Sequence, residues 1–102
     1  MYSMKDLLNL VAQQGAAELR LEPDRPPMML LHGQVRLLDG PPVTSDHITE
    51  LLHGIVTDEQ RRELDLCGSV RFTYAAEQSA HFSVRAGIHG KNVSLNINNL
   101  AP

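Results

Sequence analysis

The chain has 102 residues, a formal net charge of −3, a pI near 5.9, 42% hydrophobic and 21% charged residues. These values describe one globular domain, residues 1–102, long enough to bury roughly two thirds of its unfolded surface. They exclude intrinsic disorder and the basic excess that nucleic acid or an anionic membrane would select. The single cysteine, Cys67, cannot make a disulfide within the chain and fits a reducing, cytoplasmic setting. No apolar run exceeds four residues, so no membrane insertion and no secretory signal is expected.

In chain order, Ser3 is placed to cap a first helix, with Asp6 three positions on as its partner in a capping box. Met4, Leu7, Leu8 and Val11 follow at i, i+3, i+4, i+7, one stripe facing a core, with Leu10 off it. Gly15 ends that helix, because glycine reaches the left-handed conformation after a last turn without strain. A brief strand follows over Ala17–Leu21. Pro23-Asp24-Arg25-Pro26-Pro27 is then an extended turn, since each proline fixes its own φ and biases its predecessor away from helix.

Met28–Leu31 and Gln34–Leu38 read as two strands reversed at His32-Gly33. That turn admits two registers. A two-residue turn sets Leu30 against Val35 and Met28 against Leu37, leaving Met29 and Leu31 on the other face. A turn one residue longer, with a bulge, sets Met29 and Leu31 beside Val35 and Leu37. In either register one apolar set lies away from the main core. Pro41-Pro42 closes the block. Thr44 or Ser45 caps a second helix with Ile48, Leu51, Leu52 and Ile55 on one stripe. Thr57 and Gln60 form a capping box for a third helix, which Gly68 ends.

The last third alternates strictly. Val70, Phe72 and Tyr74, then Ala80 to Ile88, then Val93, Leu95 and Ile97 place apolar side chains on every second position. Period two over three strands means an antiparallel sheet with one buried face. A two-residue turn at Gly90-Lys91 pairs Ile88 with Val93, Ala86 with Leu95 and Val84 with Ile97. A three-residue loop at Ala76-Glu77-Gln78 pairs Tyr74 with Ala80. The fold class is α+β: a mostly antiparallel sheet of five to six strands, with three helices packed on one face.

Chemistry is scarce. The only Gly-Lys, Gly90-Lys91, is followed by Asn92 in a hairpin turn, with neither the hydroxyl nor the helix of a phosphate-binding loop. His32, His47, His53, His81 and His89 show no metal-ligand spacing, and no serine sits in a strained elbow. Cys67 lies just before Gly68 at the C-terminal end of a helix, a poor setting for a nucleophile. No catalytic residue, metal or cofactor is expected. The outward sheet face is polar and slightly basic, with Arg71, Thr73, His81, Ser83, Arg85, His89, Ser94, Asn96 and Asn98, and lacks the rings that single-stranded nucleic acid stacks on.

Gly15-Ala16-Ala17-Glu18-Leu19-Arg20-Leu21, Pro26-Pro27-Met28, Gly33 and Pro41-Pro42-Val43 resemble, in order, the skeleton of the N-terminal domain of the type IV pilus retraction (PilT-like) and type II secretion ATPase family. The resemblance continues at lower specificity to about residue 98. It implies a PAS-like sheet, a Walker-bearing motor domain in a second, downstream domain, and a non-catalytic role in subunit assembly and domain coupling. The implied partners are neighbouring subunits or a motor domain of a hexameric ATPase, at the cytoplasmic face of the cell membrane. The resemblance also implies that basic residues of the strand at His81-Phe82-Ser83-Val84-Arg85-Ala86 lie toward a nucleotide cleft. Both arginines of that family strand are missing here, and Arg85 stands where asparagine is usual. It further favours the bulged hairpin register, with Leu30 outward.

Leu30, Arg71, His81 and Arg85 are therefore the candidate interface residues. A different class of function, a stand-alone PAS-like interaction or sensory module fused to unrelated regulators, is consistent with the same pattern.

Overall fold

Ser3 caps α1 (Met4–Gln14) with its Oγ accepting from the Asp6 N–H at 3.1 Å, the backbone-facing half of the expected box. Met4, Leu7, Leu8 and Val11 are all buried, and Gly15 ends the helix at φ 66°. The computed structural model describes residues 2–76 and 80–100. Its remaining elements are β1 (Glu18–Leu21), β2 (Met28–Leu31), β3 (Gln34–Leu37), α2 (Ser45–His53), α3 (Asp58–Cys67), β4 (Ser69–Ala75), β5 (His81–His89) and β6 (Asn92–Asn99). Every strand pairs antiparallel with its neighbour, in the order β3-β2-β1-β6-β5-β4.

Two three-stranded meanders are thus joined first strand to last. Leu19 faces Ile97 and Leu21 faces Leu95 across that seam, and all four are buried. Their side chains meet the helical stripes in one core with Val11, Ile48, Leu52, Val70, Phe82, Val84 and Ala86. The fold class expected from the sequence is the fold observed.

The second helix takes Thr44, not Ser45, as its cap: Thr44 Oγ1 accepts from the His47 N–H at 3.1 Å. Ser45 instead ties α2 to the last hairpin, accepting from the Val93 N–H and donating to the Lys91 carbonyl. His47 is buried, its ring stacked on Tyr2 and its Nε2 3.2 Å from the Tyr2 carbonyl oxygen. The capping box of Thr57 and Gln60 on α3 is complete.

Two registers differ from expectation. At the β2–β3 turn the bulge is absent: Leu30 faces Val35 and Met28 faces Leu37. His32 and Gly33 both take positive φ, 51° and 78°, the conformation of a two-residue turn whose twist already matches its strands. In the β4–β5 hairpin, Tyr74 faces Phe82 rather than Ala80, and Phe72 faces Val84. The loop placed on Ala76-Glu77-Gln78 falls partly outside the described residues. A shift by an even number of residues keeps every side chain on its own face, so the apolar alternation could not detect it. The β5–β6 hairpin is as expected, with Ile88 on Val93 and Val84 on Ile97.

The seam should dominate stability. Leu19→Ala, at a fully buried site, is expected to cost about 2–5 kcal/mol. Thr57→Ala, at an exposed cap, should cost about 1 kcal/mol. Urea unfolding monitored by far-UV circular dichroism separates the two.

Candidate functional site

Because both meanders share one sheet, residues on its outer face fall into rows that cross all six strands. One row runs Leu37, Met28, Arg20, Asn96, Arg85, Arg71, each facing the next across a strand pair. The adjacent row runs Val35, Leu30, Glu18, Asn98, Ser83, Thr73. Neighbours in a row are about 4.8 Å apart, the strand spacing. The face is therefore apolar at the β2–β3 end and cationic over β5 and β4.

The apolar end faces away from the protein's own core. Val35 and Leu37 are 64% and 61% exposed, whereas Gln34 and Arg36 point to the side that the helices occupy. The strand β3 is thus inverted, with its hydrophobic residues on the solvent side. It is also an edge, with one flank unpaired. Leu30, half-buried beside Val35, belongs to this patch and is outward, as the resemblance implied.

At the other end, Arg71 and Arg85 face each other directly and are both exposed. Among the described residues neither has an ion-pair partner. Arg20 differs: its Nε donates to Glu18 Oε1, and that bond and charge, with Glu22 nearby, raise its pKa further above its ordinary value. Asn96, between Arg20 and Arg85, has a buried amide oxygen without a hydrogen-bond partner among the described residues. A basin of about 350 Å³ opens beside the row, walled by Arg20, Arg85, His89 and Asn96, with the Glu22 carboxylate also on its rim beside Arg20, and floored by Gly87. Gly87 faces Ser94 on one side and Ser69 on the other, so a line of small residues keeps the floor low.

Of the four residues expected at an interface, the structure brings Arg71 and Arg85 together. Leu30 lies at the far apolar end, and His81 opposite Ala75 at the other end of β5. Sequence reasoning did not place Arg20 or Gly87 in the site. Their membership depends on β1 pairing with β6, for which no local pattern exists. No group of three His, Cys, Asp or Glu able to hold a metal occurs among the described residues, and no described helix is long and apolar enough to cross a membrane. Gly90-Lys91 forms the β5–β6 turn, with no helix behind it.

Comparison with known proteins bears on what this face serves. No protein-family model matches the sequence. The chain is 32% identical over 81 residues to the type IV pilus retraction ATPase PilT of Pseudomonas aeruginosa, over 79% of this chain and 24% of that protein. A crystal structure of the pilus retraction motor PilT with bound ADP superposes with a TM-score of 0.86, at 18% identity, over 96% of this chain and 29% of that one. Over most of its length the chain is thus similar to one part of PilT, in sequence and in fold. The Legionella pneumophila ATPase DotB has the same fold, with a TM-score of 0.78 at 10% identity over 96% of this chain and 29% of that one. This PilT-like chain spans about a quarter of the length of the curated relative it matches, 24%.

The facing arginines on the PilT-like sheet should leave a measurable mark. Like charges directly opposite in an antiparallel pair are destabilising by a few tenths of a kcal/mol to about 1 kcal/mol. Arg71→Thr is therefore expected to raise the urea midpoint in low salt. The gain should shrink as salt screens the pair in the parent protein. A midpoint lowered by the substitution would show that Arg71 is held by a stabilising contact instead.

Proposed function

We propose that this chain is the non-catalytic domain of a pilus-retraction or secretion ATPase-like protein, serving subunit assembly and domain coupling within a hexameric motor at the cytoplasmic face of the membrane. The observation that carries the reading is the lopsided match to PilT: 79% of this chain is taken up by 24% of the relative. A matched segment of that size is a domain's worth, and the relative's printed activity belongs to a much longer protein. The domain acts as one rigid body whose outer sheet face docks on a neighbouring subunit or motor domain. Arg71, Arg85, His81 and Leu30 are the contact residues, and the two facing arginines supply the charge that sets orientation. Movement of such a body about a short connection is how docking would be passed to the motor.

The test uses the chain together with its native downstream sequence. Walker motifs should be present there, and the protein should sediment as a ring-sized oligomer with ATPase activity. Arg71→Glu combined with Arg85→Glu should shift it toward monomer and lower turnover by about tenfold or more, a loss of at least 1.4 kcal/mol, while the circular dichroism spectrum is retained. A downstream sequence without Walker motifs, or an oligomer indifferent to the double substitution, defeats the reading.

A further inference from the structure

The outer face combines three features that a solvated sheet does not need. Its edge strand turns Val35 and Leu37 to solvent. Its far strands set two arginines opposite each other, neither of them in an ion pair among the described residues. Its longest interior strand carries a glycine, Gly87, at an outward position where any side chain could stand. A Cβ there would meet its nearest neighbours at 3.5 Å (His89 Nε2) and 3.8 Å (Ser94 Oγ), ordinary contact distances. Neither crowding nor a positive φ therefore requires the glycine. Glycine inside a strand weakens it, and one common reason for it is close approach by a ligand or another chain.

The chemistry of the occupant follows from what the face offers. The guanidiniums of Arg85 and Arg71 fit carboxylates or phosphates. A phosphate site normally adds free backbone N–H groups at a helix start or a nest, and here the amides of β5 and β6, which floor the basin, are spent in the sheet ladder. An anionic lipid surface calls for a basic excess, against a net charge of −3. Carboxylates on a protein remain. The apolar patch on β2 and β3 then requires hydrophobic side chains on that partner, at a fixed distance. From Met28 on β2 to Arg85 on β5 is three strand spacings, about 14 Å. In a helix the same-face repeat that comes nearest is eleven positions, about 16 Å, a difference that side chains of the length of glutamate and arginine span.

We propose that the outer sheet face, from Val35 and Leu37 through the Gly87-floored basin to Arg71, is a docking site for an acidic, amphipathic segment of a partner protein. Its apolar side chains cover the hairpin and its carboxylates, about 14 Å away, enter the basin against Arg85. The proposal takes from the preceding reading only that this face meets another protein.

The probe is a synthetic helical peptide with two leucines at one end and two glutamates about eleven positions further along the same face, compared with its Glu→Gln analogue. Binding to this chain is followed by fluorescence anisotropy in low salt and by amide chemical shifts. The glutamate peptide should bind, the glutamine analogue about tenfold or more weakly. Arg85→Gln and Gly87→Val should each lower affinity about tenfold, with unfolding midpoints checked to confirm that both variants fold. Leu66→Ser, on α3 away from the sheet's outer face, should change nothing. Shifts should gather on β2, β3 and β5.

Equal binding of the two peptides, no binding up to about 1 mM, or indifference to Gly87→Val overturns the proposal. So does tighter, Arg85-dependent binding to phosphatidylserine vesicles, which would make the partner a membrane. Failure here with a ring that still depends on Arg71 and Arg85 would leave the assembly role standing. Peptide binding as expected, with no Walker motifs downstream, would reverse that outcome.

Discussion

The pairing of β1 with β6 is the contact on which the architecture turns. It is short, with Glu18–Leu21 against Leu95–Asn98, yet it joins the two ends of the chain into one sheet. The strand β1 is only four residues long and buries two side chains, Leu19 and Leu21. Neither half could supply a core alone: a three-stranded meander with one wet face is marginal without something packed on the other. The seam lets three helices cover a single continuous hydrophobic surface. Asn99 and Ala17 extend it, the Asn99 N–H donating to the Ala17 carbonyl at 2.9 Å.

The same seam creates the outer face. Each meander alone would present a small patch: an apolar hairpin from the first half, a polar and basic ribbon from the second. Joined in register, they form rows in which Met28 adjoins Arg20, and Arg20 adjoins Asn96 and Arg85. Arg20 stands at the junction, neutralised by Glu18, and forms the wall between the small apolar hollow lined by Leu30 and Val35 and the larger basin lined by Arg85 and Gly87. A domain that kept only the fold would have no need of this asymmetry. The inner face shows how apolar residues are treated when stability alone decides: all of Leu19, Val84, Ala86 and Ile97 are sealed at 0% exposure.

Local signals were the most legible. Caps and stops are chemical statements about one turn of chain. Ser3, Thr57, Gly15 and Gly68 therefore fall where their hydrogen bonds and φ values place them. Alternation assigned each residue of β4, β5 and β6 to a face for the same reason. It failed where the question was which partner rather than which side: Tyr74 against Ala80 and against Phe82 are both apolar pairs. At β2–β3 the resemblance favoured a bulge, but His32 accepts the left-handed conformation and makes one unnecessary. Leu30 still faces outward, because that turn places it with Val35.

By itself the sequence determined the helices, the faces of the strands and the resemblance to the pilus retraction ATPases. These depend on residues within a few positions of each other, where steric and hydrogen-bonding preferences act directly. Only the tertiary structure decided that Arg20, Arg85 and Arg71 share a row, that Gly87 floors a basin, and that β3 turns its apolar side outward. The first two depend on the long-range pairing of β1 with β6, and the third on the unbulged turn at His32-Gly33. Neither leaves a periodic trace in the chain, because their energies arise from surfaces that meet only after folding.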